Sequence, residues 1–320
     1  MASAGSEPDS VVAANSAAID PRLAFSTLGC PDWSWNEVLA RGQEYGFQGV
    51  ELRMLAGEVN LLKITEFQPG ERSRRVRELE SHGLSLCGLA SSIRFHEREP
   101  ELRDSQLETG KRYLELGADL GAGFLRVFGD LLPESGFERQ SQLQWIGEGL
   151  DRLGGLSESY GIQILVETHG DFTASRSLAE LMQHVHHPQV GVLWDTHHPW
   201  RFQEEDPGET WKQIGHWVRH THWKDSLTQR DSSKASTVTE AELRAKALMS
   251  GHRTAHYCPF GDGEFPVAEC FTALRSGGYC GWYCLEWEKA WHPEIAGPHE
   301  IFPHFASRFR TLWKSLREAN

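Results

Sequence analysis

Short apolar runs alternate along this chain with longer stretches whose apolar positions recur at helical spacing. The first run is 23–28, followed by helical spacing over 35–46 that stops on a glycine. Residues 47–53 read as a second strand, with a helix near 71–82. Residues 84–90 read as a third, with a helix near 101–120. Residues 123–129 form a fourth, and a long helix is expected over about 138–160. A fifth strand is expected over 161–169 and a helix near 177–186. The sixth is Val190–Asp195, with a helix near 208–215. Residues 217–225 and 281–288 give the seventh and eighth strands, and a helix over 300–317 ends the pattern. Eight alternating units predict a single-domain (β/α)8 TIM barrel over residues 21–320. An open doubly wound sheet is the alternative, but its GxGxxG fingerprint after the first strand is absent.

The longest irregular stretch, 226–265, lies between strands seven and eight. It holds one further helical pattern, 240–249, and then FGDGEFP. A long loop on that face is expected to act as a lid or substrate wall. Residues 1–20 are rich in Ala and Ser, with neither the basic start nor the apolar core of a signal peptide; they are expected to be a disordered tail.

Composition narrows the function. The net charge of −13 argues against a nucleic-acid partner, which needs a basic footprint. No apolar run reaches the about 20 residues that span a bilayer. The six cysteines form no CxxC pair, which suggests free thiols in a reducing, cytoplasmic setting. The expected partner is a small carbohydrate, with a homo-oligomer as a further expectation.

Four strands end on a potential metal ligand: Glu167, Asp195, His222 and Glu286. A barrel presents such residues at its C-terminal rim. Because side chains alternate along a strand, Glu167 shares a face with His169, His222 with His220 and Lys224, and Glu286 with Glu288. Three carboxylates and an imidazole suit one divalent ion, Mn²⁺ or Mg²⁺ before Co²⁺ or Zn²⁺. Each residue alone has a plainer reading; Asp195, for example, could simply cap the next helix.

Around this set, His169 is expected to contact substrate or orient a ligand, and Lys224 to neutralise an alkoxide or pair with a rim carboxylate. Glu51 and Arg53 end strand two on one face, Glu51 being expected to be paired. Arg126 could hold a substrate hydroxyl or carboxylate, or pair with Glu51. Among 12 tryptophans, Trp194, Trp223 and Trp287 neighbour ligands and so should point outward into packing. Trp33, Trp35, Trp200 and Trp291 sit on expected rim loops and are candidates for the pocket wall.

The motifs GVELR (49–53), LVETHGDF (165–172), LWDTHH (193–198), HTHWKD (220–225), GDGEFP (261–266) and CLEWE (284–288) resemble the xylose-isomerase-like superfamily of sugar isomerases and epimerases. The resemblance covers residues 22–320 and places that family's metal set on Glu167, Asp195, His222 and Glu286. It also places a substrate-contacting histidine on His198. Ketohexose epimerases follow the last glutamate with Pro-Phe; here Trp287-Glu288-Lys289 follows Glu286.

The resulting expectation is a metal-dependent isomerase or epimerase of a keto sugar or polyol-derived ketone. It would work through an enediolate, with Glu167 and Glu286 moving the proton. The alternative is a dehydratase or lyase acting on a 3-oxo sugar, glycoside or inosose, which would use the same ligands. A nuclease of the apurinic-site endonuclease type ranks lower, since it needs a larger ligand set and a basic surface. A sugar-sensing barrel would not need both glutamates.

Overall fold

The computed structural model describes residues 20–228 and 255–318. The expected tail, Asp20 apart, and the helical pattern at 240–249 lie outside the described residues. Eight parallel strands close into a barrel in the order β1 (Arg22–Ser26), β2 (Gly49–Leu52), β3 (Ser85–Arg94), β4 (Phe124–Phe128), β5 (Gln163–Glu167), β6 (Val190–Asp195), β7 (Val218–Trp223) and β10 (Trp282–Leu285), which returns to β1. The main helices between them are α1 (Trp35–Glu44), α2 (Arg72–Ser81), α3 (Pro100–Leu120), α4 (Gly136–Glu158), α5 (Ser175–Met182), α7 (Pro207–Ile214) and α8 (Val267–Ser276). A terminal helix, α9 (Pro298–Glu318), completes the ring. The expected barrel is therefore present as a single domain.

Two elements were not expected. α6 (His197–Gln203) begins directly at the end of β6. β8 (Asp225–Leu227) and β9 (His256–Cys258) pair antiparallel beyond β7, inside the stretch read as irregular.

The barrel interior is layered. A floor of Ala24, Cys87, Phe124, Leu165, Leu193 and Cys284 plugs it from within. Burial of this kind contributes about 1.5–3 kcal/mol per large apolar side chain. Gly88 makes room for the plug, since a Cβ there would lie 2.5 Å from the Phe124 ring. One step further along the strands the interior turns polar, with Glu51, Arg126, Glu167, Asp195, His222 and Glu286 all buried. Between sheet and helices lies the main apolar core, in which Trp194, Trp223 and Trp287 are at most 1% exposed. Their packing role is as alternation predicted. Trp223 alone meets Phe260, Phe265, Phe271, Tyr283 and Phe309.

Candidate metal centre

The last residues of β5 and β6, the penultimate residue of β7 and the residue following β10 meet at the C-terminal end of the barrel. Donor atoms of Glu167, Asp195, His222 and Glu286 all lie within 4.8 Å of one another. His222 Nδ1 stands 3.2 Å from Glu286 Oε1 and 3.5 Å from Glu167 Oε1. The ring is held from behind, where Nε2 donates to Glu51 Oε2 at 2.8 Å. In the neutral ring this bond fixes the proton on Nε2 and turns the Nδ1 lone pair toward the carboxylates. Burial opposes an added charge on His222, but Glu286 and Glu51 outweigh it and hold the ring well above its ordinary value. Positive charge is favoured where it sits.

Asp195 divides its work between two oxygens. Oδ1 accepts the backbone N–H groups of His197 and His198 at 2.9 Å each, fixing the first turn of α6. Oδ2 faces the cluster and Lys224 Nζ, 2.8 Å away. The capping and ligand readings of Asp195 thus coexist on separate atoms.

Lys224 Nζ also lies 2.5 Å from Glu286 Oε2 and 2.5 Å from Glu288 Oε1, and 3.3 Å from His198 Nε2. Burial would lower this lysine, yet Asp195, Glu286 and Glu288 together hold it well above its ordinary value. It is an ammonium among carboxylates. His198 donates Nδ1–H to the Thr168 carbonyl at 3.0 Å, which leaves its Nε2 lone pair facing Lys224. Burial and Lys224 press His198 well below its ordinary value, so it is neutral. His169 is half-buried, with its ring 4.5 Å from Phe128 and 5.6 Å from His198, beside the opening.

The arginines and tryptophans sort themselves by contact. Arg126 does not pair with Glu51; its Nε lies 3.2 Å from Glu167 Oε2. The reason is strand order. Arg126 pairs in register with Leu165 on adjacent β5, whereas β3 separates it from β2. Arg53 donates Nη2–H to Ser92 Oγ at 3.0 Å and lies 5.9 Å over the Trp291 ring. Trp291 therefore stands at the rim, as expected.

The other tryptophans on rim loops are placed differently. Trp33 is 5% exposed and packs on Phe302 and His299, because α9 folds back over its loop. Trp35 is a packing residue and not a wall: its Nε1 donates to Glu78 on α2 and its ring meets Phe67 edge-on. Trp200 stacks beside Arg201 and borders a surface cavity of about 600 Å³ with Glu204, Glu205 and Asp206. The residues bordering that cavity include none of the four ligand candidates.

The role of one residue, the last of HTHWKD, went unread in the sequence. Asp225 accepts backbone N–H bonds from Ser226, Gly261, Gly263 and Phe265 at 2.8–3.1 Å. It ties the FGDGEFP loop to the residue after Lys224. Gly263 is required there, because a Cβ would lie 2.1 Å from Asp225 Oδ1. The signal that could have found it is an aspartate opposite a glycine-rich turn.

The chemistry of this donor set fits a divalent ion. Buried Asp195 Oδ2 and Glu167 Oε2 have ion-pair neighbours, Lys224 and Arg126, but no formed hydrogen bond, and His222 Nδ1 stands between Glu167 and Glu286. With His222 neutral, as a metal ligand would be, and every carboxyl ionised, the carboxylates of Glu51, Glu167, Asp195, Glu286 and Glu288 outnumber the cations Arg53, Arg126 and Lys224 by two. A buried excess of that kind calls for a cation.

Fold and site together define a (β/α)8 barrel whose C-terminal mouth carries a cluster able to hold a metal. The family model for the xylose isomerase-like TIM barrel matches residues 39–305, and the chain belongs to that family. Over 157 residues it is 27% identical to the inosose dehydratase of Clostridium botulinum, covering 48% of this chain and 49% of that protein. The chain thus spans about half the length of that relative. Against the inosose dehydratase of Clostridium beijerinckii, identity is 24% over 262 residues, covering 80% of this chain and 82% of that one. The fold superimposes on the crystal structure of a probable 3-DHS dehydratase from Bacillus anthracis with a TM-score of 0.71. The two are 17% identical over 90% of this chain and 98% of that one.

These relatives correct the expectation of an isomerase or epimerase. They are named dehydratases, the class set out above as the alternative. The physical reason for the misreading is that both chemistries begin by removing a proton beside a carbonyl, and so share one ligand set.

Proposed function

We propose that the protein is a metal-dependent dehydratase that removes water from a cyclic polyhydroxy ketone of the inosose type. The observation that carries this reading is Lys224, an ammonium within 2.8 Å of two of the candidate metal ligands. An epimerase returns its proton to carbon and has no leaving group to protonate; an elimination must expel hydroxide as water, and a buried ammonium beside the ketone supplies that proton.

In this reading Glu167, Asp195, His222 and Glu286 hold the ion, with Glu51 behind His222. When bound, the ion would polarise the substrate carbonyl and acidify the adjacent C–H. His169, half-buried at the opening, takes that proton. His198, fixed through Thr168, keeps a neutral ring against Lys224. Glu288 holds Lys224 from the side away from Asp195. Loss of the carbon-bound proton and departure of the β-hydroxyl as water leave a conjugated enone. No membrane is involved in this reading; among the described residues no helix is long and apolar enough to cross one.

The test is to incubate inosose with the protein and Mn²⁺ and follow the ultraviolet absorbance of the conjugated product. Lys224→Met should lower turnover by about 10²–10⁴-fold, the usual range for losing a positioned acid. Ketone epimers in place of an enone would refute the proposal.

A further inference from the structure

Two arginines approach the cluster from β2 and β4, on the side away from Lys224. Ala90 pairs in register with Arg126, and Leu89 with Leu52, so Ala90 stands between Arg126 and Arg53 in the sheet. Alanine there puts only a methyl group between the two long side chains. Arg126 is 2% exposed, and its Nη1 is buried without a hydrogen-bond partner. Its Nε, 3.2 Å from Glu167 Oε2, likewise forms no hydrogen bond, and its guanidinium carbon lies 4.0 Å over the Phe128 ring, which supplies no acceptor oxygen. Arg53 is 7% exposed and gives one hydrogen bond, to the hydroxyl of exposed Ser92 at the mouth. Burial and the Arg126 charge lower Arg53 to about 10, so it remains a cation at neutral pH.

Two buried guanidiniums within each other's field repel, and a site keeps such a pair where an anion joins them. Glu286 and Glu167 favour the Arg53 charge from a distance, but among the described residues no carboxylate forms an ion pair with it. Glu286 and Glu288 engage Lys224, Glu51 engages His222, and Glu167 faces Arg126 Nε. With a divalent ion bound, the cluster's excess of two negative charges is cancelled, so a substrate anion would meet no net repulsion.

We infer that Arg53 and Arg126 form a seat for an oxyanion on the substrate, so that the preferred ketone carries a carboxylate or a phosphate at the end opposite the reacting carbons. The inference rests on the dehydratase reading for the identity of the ketone, but the seat itself is testable without turnover. Its chemistry is that of paired, planar N–H donors, which match carboxylate and phosphate oxygens.

The probes are two unreactive pairs, measured by calorimetry on Mn²⁺-loaded protein. Shikimate against its methyl ester reads a carboxylate; myo-inositol 1-phosphate against myo-inositol reads a phosphate. The charged member of at least one pair should bind about tenfold or more tighter, the scale of one charge-assisted hydrogen-bonding partner. Arg53→Met should erase that preference, and Arg126→Lys should reduce it while keeping a charge beside Glu167. Circular dichroism checks that both variants fold.

Equal binding within both pairs, or no binding at all, overturns the inference. So does a preference that survives Arg53→Met and Arg126→Lys, because the metal would then be reading the anion. Failure of the dehydratase reading looks different: no ketone, charged or neutral, would yield an enone, whatever the binding preference.

Discussion

Glu51 touches no substrate in the reading above, yet it should govern how tightly the ion is held. It is 0% exposed and accepts His222 Nε2–H at 2.8 Å. Burial opposes its charge, but His222 and His220 outweigh that and keep its carboxyl below the usual carboxylate range. In Glu51→Gln the side-chain oxygen can still accept the imidazole proton, so the ring stays in place and the charge is removed. A hydrogen bond to a charged group contributes about 1.5–3 kcal/mol against about 0.5–1.5 for a neutral one, a difference of about 1.2 kcal/mol, or about eightfold. Glu51→Ala removes the acceptor and frees the ring to turn, so about 100-fold is expected, the upper end for such supporting residues. The assay is titration of metal-stripped protein with Mn²⁺ by calorimetry, with a competing chelator for the tighter cases. If both variants fold and bind Mn²⁺ within about twofold of wild type, Glu51 does not organise His222 and the assignment of Nδ1 as a ligand atom loses its support.

Three further outcomes are expected. Asp225→Ala orphans the N–H groups that Asp225 now satisfies, and should lower stability by about 2–4 kcal/mol in thermal or urea melts; a change below about 0.5 kcal/mol would mean that water replaces them at no cost. Gly88→Ala drives a methyl into the Phe124 ring and should cost about 1–3 kcal/mol by the same melts, whereas an unchanged midpoint would show that the barrel floor yields freely. Cys258 is pushed up to about 12 by burial first and then by Asp225, so only about 10⁻⁴ of it is thiolate at pH 8. Iodoacetamide should therefore label exposed Cys280 long before Cys258, and labelling of Cys258 should speed up about tenfold per pH unit; faster labelling of Cys258 by peptide mass spectrometry would contradict this.

The barrel and the convergence of its four candidate ligands were legible because both rest on local periodicity. Period-two strands ending on Glu167, Asp195 and His222 dictate where those side chains point whatever the rest of the chain does. Partners set by three-dimensional neighbours were not legible. Arg126 pairs with Glu167 through the adjacency of β4 and β5, and no spacing along the chain chooses that over Glu51. Trp33 and Trp35 were misplaced for the same reason, since α9 and α2 cover them from distant sequence. α6 was missed because it starts at the end of β6 with no loop between; the capping reading weighed for Asp195 belongs to this short helix. Elimination and epimerisation could not be told apart from the ligands, because what separates them is where the second proton goes.

Asp195 carries a consequence for how the centre forms. Because one of its oxygens is tied to two peptide N–H groups, the other has lost its rotational freedom before any cation arrives. The entropy of fixing that candidate ligand is spent when the helix folds, so an ion bound there would not have to supply it. Conversely, this position is closed to gradual change. A replacement that tuned the ion would also unfasten the start of α6 and, with it, His198 and the wall that helix carries. Drift in substrate choice within such a scaffold has to run through residues with a single duty, such as Arg53, and leave this carboxylate untouched.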